Sequence, residues 1–236
     1  MRVRGRRECR DCGHQWSYYE TGAVDCPACG SLRSVGVDDR TQHTDTPTSL
    51  DLSPHRRAVD AGDLADAADD LKRDLRRYRT KRGFIRGGDL LPLDATYLAA
   101  TELLHAVDVL VRAGDRTDDE ELYLLSLLRG ADVGDRPDVD TVPRSMRAAR
   151  GLALAEAVDE YRREVLAWLD DNPAPGARQV LGTVSEHVKR TRALGGDVPL
   201  EESEALLVAT QDVSRALRED DETALATATD RLSRLR

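Results

Sequence analysis

Residues 9–30 read CRDCGHQWSYYETGAVDCPACG. Two Cys-x2-Cys units, Cys9/Cys12 and Cys26/Cys29, stand thirteen residues apart, and a glycine follows each of them, Gly13 and Gly30. A two-residue gap lets both thiolates of one knuckle face a common ion, and glycine accepts the positive φ that turns backbone amides toward the sulfurs. Two facing knuckles give a tetrahedral four-sulfur set, which predicts one structural zinc ion and no open coordination position. Strands are expected near residues 3–8, 15–19 and 32–37, so that residues 1–37 form a small β zinc ribbon. So short a module has too little core to fold unaided, and the metal should be required for it to fold. Disulfides or a redox dithiol fit less well, because a thioredoxin-like motif comes singly inside a βαβ unit.

After the ribbon, residues 38–53 (DDRTQHTDTPTSLDLS) show no sustained apolar period and read as a polar linker. Residues 54–236 are expected to form an all-α domain of about seven helices in an antiparallel bundle or array. Ser53-Pro54 offers an N-cap and a first-turn proline. Leu64, Ala68, Leu71, Leu75 and Tyr78 then form one apolar stripe, in a helix expected to run to about Gly83. A second helix over residues 93–113 carries Tyr97, Ala100, Leu104, Val107 and Val111, with Gly114 as its stop. Thr117 and Glu120 make a capping box before ELYLLSLL, which is apolar nearly all round and is expected at the centre of the core. Further stripes follow in helices ending near residues 171 and 194 and in two more starting near Pro199 and Asp221. No fixed-period repeat is present.

The 236 residues carry a net charge of −9, with 44 acidic against 35 basic side chains. Both groups are skewed, to Asp over Glu and to Arg over Lys, a balance similar to that of proteins from salt-loving archaea, which stay hydrated through surface carboxylates. No segment approaches the roughly 18 uninterrupted apolar residues of a membrane span, and no apolar stretch follows the N-terminal arginines. A cytoplasmic protein without membrane contact is expected.

The stretch CRDCGHQWSYYETGAVDCPACGSLRSVG resembles the transcription factor IIB-type zinc ribbon, and more closely a set of haloarchaeal proteins that join such a ribbon to a helical region. The resemblance implies that Cys9, Cys12, Cys26 and Cys29 are the zinc ligands. The first knuckle lacks the proline common in general transcription factors, and no cyclin-like repeats follow, which points away from a general initiation factor.

Arg2, Arg4, Arg6 and Arg7 crowd the first strand while Trp16, Tyr18 and Tyr19 offer stacking faces on the second, so a nucleic acid or a nucleic-acid-bound assembly is one expected partner. A second basic run spans Lys72 to Arg86; it reads either as a binding patch or as charge complementary to the dipole of a helix whose first half is acidic. The alternative role is a protein-interaction adaptor. A third reading takes the two knuckles, CxxCG and CPxCG, as a rubredoxin-like iron site for electron transfer; a di-iron site built on Glu102 and His105 lacks the second Glu-x-x-His that such a bundle needs. No catalytic constellation stands out, and a non-enzymatic protein is expected.

Overall fold

The computed structural model describes the chain apart from residues 63, 114–116 and 236, and of residues 64, 65 and 113 the backbone only. Five short strands form the N-terminal region: β1 (Arg2–Arg4), β2 (Arg6–Cys9), β3 (Gln15–Ser17), β4 (Ser34–Gly36) and β5 (Arg40–Gln42). They make two antiparallel sheets, β1 with β5 and the three-stranded order β3-β2-β4. Between β3 and β4 lies one helical turn, α1 (Tyr18–Thr21), so the second expected strand stops at Ser17. Gly22, at φ 65°, closes that turn.

The segment 38–53 is more than a tether. Arg40–Gln42 pairs with Arg2–Arg4, which places Met1 and His43 side by side, the His43 amide donating to the Met1 carbonyl at 2.8 Å. His43, Asp45 and Leu52 are buried. Polar composition hid this order because Asp45 is held by charge: Arg82 and Arg86 both bond to its carboxylate. Further links run from Thr44 and Asp45 amides to the Ile85 carbonyl and from the Gly88 amide to the Gln42 carbonyl, beside the hairpin of β6 (Ile85–Arg86) and β7 (Asp89–Leu90). Residues 40–46 therefore strap the ribbon to the helices.

The helical part, among the described residues, comprises α2 (Ser53–Ala61), α3 (Leu64–Lys81), α4 (Ala95–Ala113), α5 (Asp118–Gly130), α6 (Arg147–Trp168), α7 (Pro175–Ala193), α8 (Leu200–Glu219) and α9 (Glu222–Ser233). The first expected helix is two, broken at Gly62, whose backbone is extended. Ala68, Leu71, Leu75 and Tyr78 are buried as their spacing requires, whereas Val111 is exposed. The Gly114 stop lies outside the described residues. The capping box is formed: the Thr117 hydroxyl accepts from the Glu120 amide and the Glu120 carboxylate accepts from the Thr117 amide.

The segment ELYLLSLL is buried on one face only, where its apolar pattern predicts that it is surrounded. Tyr123, Leu124, Leu127 and Leu128 face the core, but Leu122 is 64% exposed. The surrounded helix is α6, which packs on α4, α7 and α8. Its small residues Ala149, Ala153, Ala155 and Ala157 are buried and let those neighbours close in, a role that a search for large apolar residues passes over. The aromatic centre is Phe84 set edge-on against Tyr97 and Tyr161, at centroid distances of 5.0 and 4.9 Å. No described helix is long and apolar enough to cross a membrane.

Candidate metal centre and ribbon surface

Each knuckle is built by the same two backbone bonds. The Cys9 amide donates to the His14 carbonyl and the Gly13 amide to the Cys9 carbonyl; the Cys26 amide donates to Ser31 and the Gly30 amide to Cys26. Gly13 and Gly30 sit at φ 74° and 72°, a conformation that glycine adopts without strain. The turns bring four unlinked sulfurs together, all ligand atoms lying within 4.8 Å of one another. The Cys9–Cys29 and Cys12–Cys26 sulfur pairs are each 3.6 Å apart. A tetrahedron with metal–sulfur bonds of about 2.3 Å has an edge of about 3.8 Å, so the four thiols fit one ion.

Their titration calls for a cation as well. The Cys12 amide is the largest influence bringing Cys9 down to about 7. For Cys29 the Ser31 amide acts downward, yet the neighbouring sulfurs of Cys12 and Cys9, with desolvation, push it up to about 12. Four thiolates cannot share this volume unless a positive ion compensates them.

Trp16 belongs to the ribbon's interior. It forms a small apolar cluster with Cys9 and Cys26, is 8% exposed, and donates its indole N–H to the Ala23 carbonyl. Strand register explains the placement: Arg7 lies opposite Trp16 and shares its face, and its guanidinium is bonded to Ser34. Arg6, one residue away, points to the other face opposite Ser17 and is exposed. Arg2 and Arg4 share a face of the β1–β5 sheet with Arg40, which sits directly opposite Arg4. Arg2 is paired with Asp171, and Arg4 bonds to the Asp38 carbonyl. The four sequence-predicted arginines are thus divided among three environments.

Tyr18 and Tyr19 are on α1, not on a strand. Both rings pack against His43, at 5.9 and 4.6 Å between centroids, and the Tyr19 hydroxyl bonds to Thr41. What the fold does gather is an open groove of about 410 Å³ lined by Gly5, Arg6, Gln15, Trp16, Ser17, Tyr19 and Asp38. Arg40, exposed opposite Arg4 on β5, gave no sequence signal because its segment read as linker.

The basic run from Lys72 to Arg86 is largely consumed inside the molecule. Lys72 pairs with Asp69 and Asp108, Arg73 with Asp70, Arg77 with Asp74, Arg79 with Glu156, and Arg82 with Asp45 and Asp94. Glu102 and His105 do not form a metal site among the described residues. Glu102 is buried under the Tyr123 hydroxyl and the guanidiniums of Arg136 and Arg150, while His105 bonds to Glu156 at 2.6 Å.

Over residues 1–232 the chain matches the family of unknown function DUF7117, and it belongs to that family. No curated protein and no solved structure matches it.

Proposed function

We propose, with membership of that family as the premise, that the chain is a non-enzymatic zinc-ribbon protein whose ribbon contacts single-stranded nucleic acid or an assembly bound to it. The observation that carries the reading is the groove whose lining brings together Arg6, Gln15, Trp16 and Tyr19, with Arg4 and Arg40 exposed opposite each other on the β1–β5 sheet. A guanidinium beside aromatic side chains suits a phosphate and its base together. The first 42 residues carry seven arginines against six carboxylates, so the whole of the net negative charge resides in residues 43–236. A strand of nucleic acid would accordingly meet the ribbon and be repelled by the body.

Zinc is the proposed ion, since four thiolates at tetrahedral spacing with no open position match its structural sites. Cys9, Cys12, Cys26 and Cys29 would hold it and Trp16 would cover it. Elemental analysis of the purified protein should return one zinc per chain. Stoichiometric iron with a visible charge-transfer band would replace this reading by a rubredoxin-like one.

The contact is tested by titrating fluorescent single-stranded oligonucleotides with wild type and with the triple variant R4Q/R6Q/R40Q at several salt concentrations. Each lost phosphate contact should flatten the slope of log K against log salt by about 0.7. Equal affinity and slope for the two proteins would refute the nucleic-acid reading. Capture of protein partners alone, unchanged by nuclease, would favour the adaptor.

A further inference from the structure

Away from the ribbon, an open cavity of about 360 Å³ lies where α3, α4, α6 and the strap meet. Its wall from α3 presents Arg76, Arg79 and Thr80, with Arg82 just past the helix end, and its wall from α6 presents Glu156, Glu160 and Glu164. The three glutamates recur every four residues and therefore form one ridge along α6. Tyr97 and Thr44 complete the lining.

The two walls are not fully matched to each other. Arg79 is paired with Glu156, and Arg82 is taken by Asp45 and Asp94. Among the described residues Arg76 has only a distant contact with Asp108, at 3.9 Å. Opposite, Glu164 makes no ion pair among the described residues. One of its oxygens accepts the Thr44 hydroxyl and the Phe84 amide, both at 2.6 Å. Desolvation, with Glu160 and Asp45 nearby, outweighs those bonds and holds its carboxyl above the usual range. A carboxylate removed from water without a cation is costly and is stabilised by any positive group that reaches it.

We propose that this cavity binds a free α-amino acid, its ammonium group against Glu164 and its carboxylate against Arg76. Arg79 pairs with Glu156, Arg82 with Asp45 and Asp94, and Glu160 with Arg163, which among the described residues leaves Arg76 on one wall and Glu164 on the facing one, so the complementary ligand is one that carries both signs and no net charge. A metal ion is a poor occupant, because no three of these groups are clustered at ligand distance. The volume lies in the range that encloses a small ligand.

The test uses the full-length, metal-loaded protein and the twenty standard amino acids, by thermal shift and then calorimetry. At least one should raise the melting temperature and bind saturably. Its N-acetyl and amide derivatives should each bind about tenfold or more weakly, because each loses one charge-assisted contact. Glu164→Gln and Arg76→Gln should each reduce affinity by about the same factor, and Arg76, 58% exposed, can be replaced without disturbing the packing. Absence of any saturable binding would overturn the proposal. So would N-acetyl and amide derivatives that bind as well as the parent, or an unchanged affinity in Arg76→Gln.

Discussion

Glu156 and Glu164 stand two turns apart on α6 and titrate in opposite directions. The hydrogen bond from His105, joined by the Arg79 pair, brings Glu156 down from 4.5 to about 2. Its contribution to stability is therefore complete above the ordinary carboxylate value and is lost as pH falls through the window from 4.5 towards 2. The urea midpoint of Glu156→Gln should lie below that of wild type at neutral pH, and the gap should narrow across that window. The effect is modest, since the side chain is 37% exposed and solvent screens it. For Glu164 the sign reverses. Its folded value is raised, so ionisation works against the fold and its stabilising contribution fades as pH climbs from the acid side. Glu164→Gln should match or exceed wild type in urea midpoint at pH 7, and a large loss there would contradict this account. Neither behaviour was legible in the sequence, because the partners of Glu156 come from two other helices. The cysteines were legible because their partners are local and their spacing is fixed by the geometry of one ion.

The same contrast holds for elements. Caps and stripes are local, and Thr117 with Glu120, the Ala68–Tyr78 stripe and most helix limits followed from the chain directly. Thr117→Ala should cost about 1 kcal/mol, read from chemical denaturation, because it removes the acceptor for the Glu120 amide. The break at Gly62 escaped notice because the apolar stripe that placed the helix begins only beyond it, at Leu64. The strap escaped notice because its order comes from Arg82 and Arg86, some forty residues further on. Asp45→Asn should destabilise by about 3 kcal/mol or more, judged by denaturant midpoint, as it leaves the 15%-exposed Arg82 with half its charge partners. A change within about 0.5 kcal/mol, the range of an ordinary surface substitution, would show that the strap is dispensable. Proximity in sequence also misled: Arg7 and Arg6 are neighbours, yet the two-residue period of a strand sends one inward and the other to solvent.

At the scale of the whole molecule, ribbon and helices share contacts that a simple two-domain reading omits. Tyr19 fills the space beside Gly5 and Gly87, where an added Cβ would lie 1.9 and 2.8 Å from its ring. Arg2 reaches Asp171, and Thr44 reaches Glu164. Cys26→Ser, or removal of the metal by a chelator, should abolish the ribbon while leaving far-ultraviolet helical signal at room temperature nearly intact. The helical part should nevertheless melt several degrees earlier, because the strap has lost its anchor at β1. Unchanged melting by circular dichroism would mean that the two parts are energetically independent.

The pairing of β1 with β5 also gives the chain an order of assembly. During synthesis every residue of the ribbon, from the first cysteine to the strand that seals it, leaves the ribosome before any of the groups that will receive the strap has been made. Arg82 and Arg86 follow some forty residues later, and Glu164 more than a hundred. At about 5–20 residues per second, translation leaves an interval of seconds in which the thiols meet the cell's metal pool on a nascent chain. An ion held by the four cysteines, as proposed, would then be acquired first, and the helices would close around a module that has already taken its shape.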